Sequence, residues 1–226
     1  MWRASAALLF DLDGTLIDSM TQHQQAWTEW HRRHGLTIDE STFFAATAGR
    51  SNPEILADLL PGESTDRYRA WADEKEALYR EIARRTLTLV AGAEDFVRQA
   101  RAEGARLAVC TASTPENMAL AFARFGIDGW VDCVVSPSDG LRGKPHPDIF
   151  LEAARRLGCA AGDCVVFEDA PLGIEAARRA NMQAVALTTT LPAAAFAGYD
   201  NLILVAPDFL APSLLTPSTD PTSSHA

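Results

Sequence analysis

The chain has 226 residues, of which 47% are hydrophobic and 22% are charged, an ordinary composition for a globular protein that buries a core. Its formal charge of −10 argues against a nucleic-acid partner, because binding to a phosphate backbone needs a basic surface. No stretch approaches the ~20 apolar residues of a membrane span, so we expect no membrane association.

The cysteines and the N-terminus bear on the compartment. Cys110, Cys133, Cys159 and Cys164 form neither a CxxC pair nor the spacing of a metal site. The N-terminus lacks the pattern of a secretory signal. These features favour a reducing, cytoplasmic setting.

The first predicted element is a buried strand that ends in carboxylates. The apolar run Ala7–Phe10 is followed by Asp11, Asp13, Gly14 and Thr15. An Asp-Gly turn would explain the glycine, but a hairpin turn would lead into a second strand, whereas a helical pattern follows here. The acidic residues therefore lie directly at the end of a buried strand, a position that a functional role explains better than packing does.

The second predicted strand begins only at residue 107, and a crossover helix needs far fewer residues than this gap contains. We assign residues 19–86 to an inserted α-helical cap, and residues 1–18 with 87–211 to the core. Amphipathic patterns predict cap helices over Thr21–His34 and Thr65–Arg85. Ser51 to Glu54 has the pattern of a helix start with a capping box. We expect the cap to close over the sheet edge that carries the Asp pair.

The rest of the chain alternates strands and helices. Later strands are predicted at Leu107–Cys110, Cys133–Val135, Cys164–Phe167, Ala184–Leu187 and Leu202–Val205. Helices are predicted at Glu94–Glu103, Glu116–Phe125, Asp148–Leu157 and Leu172–Ala180. This alternation predicts an α/β fold with a doubly wound parallel sheet. Residues 212–226, rich in Pro, Ser and Thr, are expected to form a disordered tail.

Polar groups follow the second strand as well. Thr111, Ala112 and Ser113 precede Thr114, at which a helix opens. A hydroxyl at a strand end, together with the free N–H groups of a helix start, makes an anion site. A helix cap at Ser113 or Thr114 is the ordinary explanation for this polarity, but it does not explain Thr111.

Lys144 lies in a loop that two prolines, Pro145 and Pro147, make stiff. A single lysine is usually a solvated one, whereas prolines that restrict its neighbourhood favour a fixed position. Further on, the strand Cys164–Phe167 ends in Glu168 and Asp169. Adjacent carboxylates at the end of a buried strand repel each other unless a cation lies between them.

These four segments resemble the motifs of the haloacid dehalogenase superfamily, in the same order and on the same elements. The Asp-Leu-Asp-Gly-Thr run at 11–15 is similar to the nucleophile motif of that family. Most members are magnesium-dependent phosphatases. The resemblance, like the chemistry of phosphoryl transfer, makes Asp11 the nucleophile and Asp13 the general acid and base.

The resemblance also implies roles for the later motifs. Thr111, Ala112 and Lys144 would bind the phosphoryl group. Mg²⁺ would be held by the Asp11 carboxylate, the Asp13 backbone carbonyl, Asp169, and Glu168 directly or through water. Magnesium suits such a set of hard oxygen ligands.

Two cap residues narrow the subfamily. His23 and Lys75 fall on inward-facing helical stripes, where a core histidine or a snorkelling lysine is the ordinary explanation. Both positions match the β-phosphoglucomutase-like branch, which includes sugar phosphatases, and in which a cap lysine precedes a tyrosine as Lys75 precedes Tyr79. The match implies a phosphosugar substrate. Substrate binding is assigned to His23, Gly49, Arg50, Asn52, Lys75 and Ser113.

The sequence thus predicts a monomeric phosphatase of a small phosphorylated sugar or polyol. A β-phosphoglucomutase is the closest alternative, but those mutases have an arginine where this chain has Asn52, and only Arg50 could replace it. A haloacid dehalogenase is disfavoured, because that chemistry does not use a second Asp at position 13. A catalytically silent binding or regulatory protein would be expected to lose a motif carboxylate or Lys144, and none is missing.

Overall fold

The structure is a computed structural model that describes residues 7–214. Its strands are β1 (Ala7–Phe10), β2 (Ile17–Asp18), β3 (Thr88–Leu89), β4 (Arg106–Cys110), β5 (Cys133–Val135), β6 (Cys164–Glu168), β7 (Gln183–Leu187) and β8 (Leu202–Ala206). Its α-helices are α1 (Met20–Arg33), α2 (Glu40–Thr47), α3 (Asn52–Leu59), α4 (Thr65–Thr86), α5 (Ala93–Ala102), α6 (Pro115–Phe125), α7 (Asp148–Leu157) and α8 (Pro171–Arg179). Most of the segment expected to be a disordered tail, from residue 215 onward, lies outside the described residues.

Six strands form one parallel sheet in the order β5-β4-β1-β6-β7-β8. The first strand of the chain is therefore central, with Phe10 opposite Val109 on one side and Phe167 on the other. Continuous apolar strands of this kind are stable only when both faces of the sheet are covered.

Helices cover both faces of the sheet. One face packs against α5 and α6 and includes the stacked rings of Phe10 and Phe167, whose centroids are 4.9 Å apart. The other face packs Leu9 and Val166 against α7 and α8. The predicted doubly wound α/β fold is confirmed.

The four helices α1 to α4 are inserted between β2 and β3, and these two short strands pair with each other antiparallel. The sequence did not predict this pair, because two-residue strands have no periodicity to read. Trp27 and Trp30 of α1 pack with Tyr79 of α4 in an apolar cluster that continues into the core. As predicted, Ser51 caps α3, and its N–H and hydroxyl both donate to Glu54 Oε2, at 3.0 and 2.7 Å. We keep 19–86 as the proposed cap boundaries. None of the helices described here has the length and apolarity needed to cross a membrane.

Candidate active site

Three carboxylates meet where two neighbouring strands of the sheet end. Asp11 follows β1, and Glu168 and Asp169 lie at the end of β6, with ligand oxygens within 4.8 Å of one another. All three residues are buried, with 6%, 1% and 3% of their surface exposed, respectively. Because parallel strands bring their carboxyl ends to one edge, strand pairing alone accounts for this convergence.

Lys144 supplies a positive charge to this cluster. Its ammonium forms ion pairs with both Asp11 and Glu168, and it lies 5.4 Å from the ring centroid of Phe150. Burial alone would lower the pKa of Lys144, but the two carboxylates outweigh it and raise the pKa. Lys144 is therefore charged, and the fixed position expected for it is what the structure has.

One ammonium does not neutralise three carboxylates. Burial raises the pKa of Asp11 well above its usual range, and repulsion from Glu168 and Asp169 adds to this against the attraction of Lys144. Burial and repulsion from Glu168 likewise raise the pKa of Asp169 to about 7. The buried Oε1 of Glu168 accepts no hydrogen bond of normal geometry from the described residues. Excess negative charge among hard oxygen donors fits a divalent cation such as Mg²⁺.

Hydroxyl groups from other loops hold Asp169. The Thr15 hydroxyl donates to Asp169 Oδ1 at 3.4 Å, and Thr190 donates to Oδ2. Thr189 donates to the carbonyl of Gly14. Sequence reasoning missed Thr189 and Thr190, although a signal existed, since three consecutive threonines follow the buried strand β7.

Two glycines make room for the carboxylates. Gly14 has φ +77°, and a Cβ atom built there would overlap the Asp169 carboxylate. A Cβ atom on Gly173 would overlap the Glu168 carboxylate. The glycine of the first motif thus serves both the turn and the close approach of Asp169.

Asp13 faces the cap. Its Oδ1 accepts hydrogen bonds from the Ser19 hydroxyl at 2.7 Å and from His23 Nε2 at 3.4 Å. Burial opposes ionisation, but hydrogen bonds from His23, Ser19 and Ser113 outweigh it and lower the pKa of Asp13. Asp11 and Asp13 therefore lie in electrostatically opposite surroundings.

His23 and Lys75, the two cap residues that the resemblance singled out, are in contact. Lys75 Nζ donates to His23 Nδ1 at 2.7 Å, and the imidazole stacks on the Tyr79 ring with centroids 3.9 Å apart. Lys75 does not snorkel, since only 2% of its surface is exposed. Its ammonium also pairs with the neighbouring Glu76 at 2.9 Å.

The loop after β4 has the geometry of an anion site. Thr111 is buried, and its Oγ1 accepts a hydrogen bond from the Ser113 N–H at 3.0 Å, which leaves the hydroxyl proton to donate elsewhere. Ala112 is exposed in this loop. The cap of α6 is Thr114, whose side chain accepts from the Asn117 N–H.

The predicted cap-loop residues separate into two groups. A Cβ atom on Gly49 would lie 3.2 Å from Ala170 Cβ, so this loop touches the core just beyond Asp169. Asn52 donates to Glu76 Oε1 at 2.5 Å. Arg50 instead pairs with Asp58 at 2.6 Å, within the cap, and is not brought to the carboxylates.

Comparison with known proteins adds to this geometry. Residues 6–181 match the family model described as haloacid dehalogenase-like hydrolase. Validoxylamine A 7'-phosphate phosphatase of Streptomyces hygroscopicus subsp. limoneus is 36% identical, over 86% of this chain and 91% of its own length. Two proteins of Escherichia coli strain K12 are each 34% identical: hexitol phosphatase A (79% of this chain, 81% of its own) and fructose-1-phosphate phosphatase YqaB (82% and 97%).

One solved structure with a similar fold belongs to a protein that is named as a mutase and not as a phosphatase. The β-phosphoglucomutase of Clostridium difficile superposes with a TM-score of 0.77 at 26% identity, covering 90% of this chain and 91% of its own.

Proposed function

The chain belongs to the haloacid dehalogenase-like hydrolases and is a phosphatase of that family, and we propose that it hydrolyses a small phosphorylated sugar or polyol with Mg²⁺ through an aspartyl-phosphate intermediate. The observation that carries the chemistry is the convergence of Asp11, Glu168 and Asp169 with Lys144 at one sheet edge. The proposed substrate class is supported by the three relatives named as phosphatases.

Asp11 is the nucleophile in this proposal. Its carboxylate attacks phosphorus, the bond from phosphorus to the substrate oxygen breaks, and the phosphoryl group is transferred to Asp11. Lys144, Thr111 and the backbone N–H of Ala112 bind the phosphoryl oxygens. The Lys144 ammonium already forms an ion pair with Asp11, so its positive charge lies next to the carboxylate that attacks phosphorus.

Asp13 transfers protons in both halves of the reaction. It gives a proton to the leaving substrate oxygen, then takes one from the water that hydrolyses the aspartyl-phosphate. When bound, Mg²⁺ offsets the negative charge of the phosphoryl group and of the carboxylates that surround it. Asp11, Glu168, Asp169 and the Asp13 carbonyl would hold it, as the donor set of the cluster supports.

A mutase reaction is the nearest alternative, and one contact bears on it. A mutase needs a second phosphate clamp in the cap, and Arg50 is the residue with the chemistry for it. Arg50 pairs with Asp58 at 2.6 Å and with the Glu54 carbonyl, and both belong to the cap. This supports hydrolysis over phosphate return to the sugar.

The intact motif set argues against the catalytically silent alternative. Asp11, Asp13, Lys144, Glu168 and Asp169 are all present. We also propose a cytoplasmic monomer, a setting in which the four free cysteines would stay reduced.

The test is phosphate release from a panel of hexose, hexitol and other polyol phosphates with Mg²⁺ present. We expect turnover of at least one member, loss of turnover in excess EDTA, and no stimulation by a hexose bisphosphate. Conversion of β-glucose 1-phosphate to glucose 6-phosphate with little free phosphate would instead identify a mutase. Activity that persists in EDTA would contradict the metal assignment.

A further inference from the structure

Glu76 is a buried acid outside the four motifs. It lies on α4 directly after Lys75, and the two residues are only 7% and 2% exposed. Consecutive helix positions point in different directions, so two buried charged neighbours require partners on more than one side of the helix.

Three donors from three directions meet the Glu76 carboxylate. Oε1 accepts from Lys75 Nζ at 2.9 Å and from Asn52 Nδ2 at 2.5 Å. Oε2 accepts from Asn117 Nδ2 at 2.6 Å. Burial opposes ionisation, but the charge of Lys75 and the hydrogen bonds from Lys75 and Asn117 outweigh it and lower the pKa of Glu76 to about 2. The carboxylate is therefore charged and hydrogen-bonded through both oxygens.

The contacts of Lys75 determine the hydrogen-bonding state of His23. An ammonium has donors only, so His23 Nδ1, 2.7 Å from Lys75 Nζ, must be an acceptor without a proton. The proton of the neutral imidazole is then on Nε2, which faces Asp13 Oδ1 at 3.4 Å. The directions of these hydrogen bonds are therefore fixed. Lys75 donates to both Glu76 and His23, and His23 donates to Asp13.

Asn117 links this chain to the core. It is 3% exposed and lies in the first turn of α6, just beyond the loop that contains Thr111. Its Oδ1 accepts from Arg80 of the cap at 3.1 Å, which directs its amide nitrogen to Glu76. Among the described residues 7–214, Asn117 is the hydrogen-bond partner that joins Glu76 to the core, and the helix α6 that holds it begins at the proposed phosphate site.

We propose that Glu76 is a positioning residue for proton transfer by Asp13, and that its bond to Asn117 makes this positioning depend on contact between cap and core. The proposal rests on the proposed phosphatase function. Glu76 holds the Lys75 ammonium in place to donate to His23, and His23 then holds the Asp13 carboxyl group toward the leaving oxygen. The proton that leaves comes from Asp13, while His23 and Lys75 keep theirs.

Glu76→Gln is the direct test, because one amide oxygen cannot serve three donors. The substrates are 4-nitrophenyl phosphate and phenyl phosphate, which are similar in size but differ in leaving group: phenolate is the more basic and needs a proton more. We expect kcat on phenyl phosphate to fall about tenfold or more and kcat on 4-nitrophenyl phosphate to fall less than about threefold, since a positioned acid contributes about 10²–10⁴ in rate. Glu81→Gln, an exposed acid on the same helix, is the matched control and should leave both rates unchanged.

Asn117→Ala is the second variant, for use if Glu76→Gln does not fold. It should give the same leaving-group-dependent loss, because Glu76 loses its core partner. Equal losses on both aryl phosphates, or no loss in either variant, would overturn the proposal.

A readout without turnover separates this inference from the proposed function. In ¹⁵N NMR spectra of the wild type, His23, assigned with His23→Gln, should show a protonated Nε2 and an unprotonated Nδ1, and Glu76→Gln should change this pattern. Unchanged His23 signals would overturn the inference. If the wild type releases phosphate from no substrate, the proposed function fails, and the NMR result still decides the role of Glu76.

Discussion

Asp11 and Asp13 lie close together in sequence, yet their surroundings move their pKa values in opposite directions. Asp11 is crowded by Glu168 and Asp169, whereas Asp13 accepts hydrogen bonds from His23 and Ser19. A low pKa keeps Asp13 ionised, which is the form it needs in order to accept a proton from water. As the acid it needs a proton, and the negative charge of a bound phosphoryl group favours this by raising its pKa.

The nucleophile gives the first prediction. Asp11→Asn should abolish turnover, because an amide cannot form the aspartyl-phosphate. It should not lower the unfolding temperature in the absence of Mg²⁺, because it removes one of three repelling carboxylates. Phosphate release and thermal unfolding check the two parts. Retention of more than a few per cent of activity would mean that the mechanism is wrong.

Thr190 gives the second prediction. Thr190→Val removes a hydroxyl that orients Asp169, and outer partners of this kind typically change metal affinity about 10- to 100-fold. We expect Mg²⁺ binding, measured by calorimetry, to weaken about tenfold. Thr190→Ser should restore it. Thr188→Val in the same run is the control, because its hydroxyl contacts the Ala206 carbonyl and not Asp169. Equal effects of both valine variants would assign the loss to the loop as a whole.

At the scale of elements, the site depends on two cap helices and one cap loop. His23 on α1 and Lys75 on α4 meet across 52 positions of sequence. Gly49 brings the loop before α3 against Ala170, next to the carboxylate cluster. The cap therefore reaches the active site at two separate points.

The helices give the third prediction. His23→Ala and Lys75→Ala should each reduce turnover of a sugar phosphate far more than that of 4-nitrophenyl phosphate, which needs little from the cap or from an acid. Arg85→Ala at an exposed position of α4 serves as the control. Parallel losses on both substrates would point to structural roles for the two residues.

The cap loop gives the fourth prediction. Gly49→Ala and Gly35→Ala both put a side chain at positive φ, +76° and +66°, at a cost of about 1–2 kcal/mol in stability. Only at Gly49 does the new Cβ meet the core; at Gly35 it meets no described atom within 4 Å. We expect kcat/KM for the sugar phosphate to fall about tenfold in Gly49→Ala alone, since misplacement by 1 Å can cost about 10²-fold. Equal kinetics in the two variants would show that loop contact is unimportant.

Some elements and residues of this protein could be predicted from the sequence, and others could not. Strands such as Cys164–Glu168 are continuous apolar runs that end at charges, so both their existence and their ends could be read. The strands β2 and β3 and the helix α2 escaped prediction because they are short and lack a clear apolar period. Glu76 and Thr190 escaped because their partners are set by tertiary packing; Asn117 is 41 positions from Glu76. The spacing of motifs predicts which catalytic side chains lie at the end of a strand, but it does not predict the residues from other elements that hydrogen-bond to them.

For the molecule as a whole, buried charges give stability a pH dependence. The folded pKa of Glu76, about 2, is below its ordinary value of 4.5. Its contribution is therefore fully present above about pH 5 and is lost as the pH falls toward 2. Asp169, with a folded pKa raised to about 7, acts in the opposite sense, since protonation relieves repulsion.

Comparison of two variants isolates the Glu76 contribution, and this is the fifth prediction. Between pH 5 and pH 2 the free energy of unfolding should fall by up to about 3 kcal/mol more in the wild type than in Glu76→Gln. Urea unfolding at a series of pH values measures the difference. Curves that stay parallel through this range would show that Glu76 is not held in its charged form.

The central place of β1 has a consequence for biosynthesis. This strand leaves the ribosome before its neighbours β4 and β6, and Ala7 pairs with Arg106 and Cys164. The nascent chain must therefore keep its most apolar early segment unpaired while the whole cap and half of the core are translated. Asp11 can meet Glu168 and Asp169 only after β6 has emerged. The growing chain therefore completes its cluster of three carboxylates late. A chain truncated before β6 would contain Asp11 without the two other carboxylates.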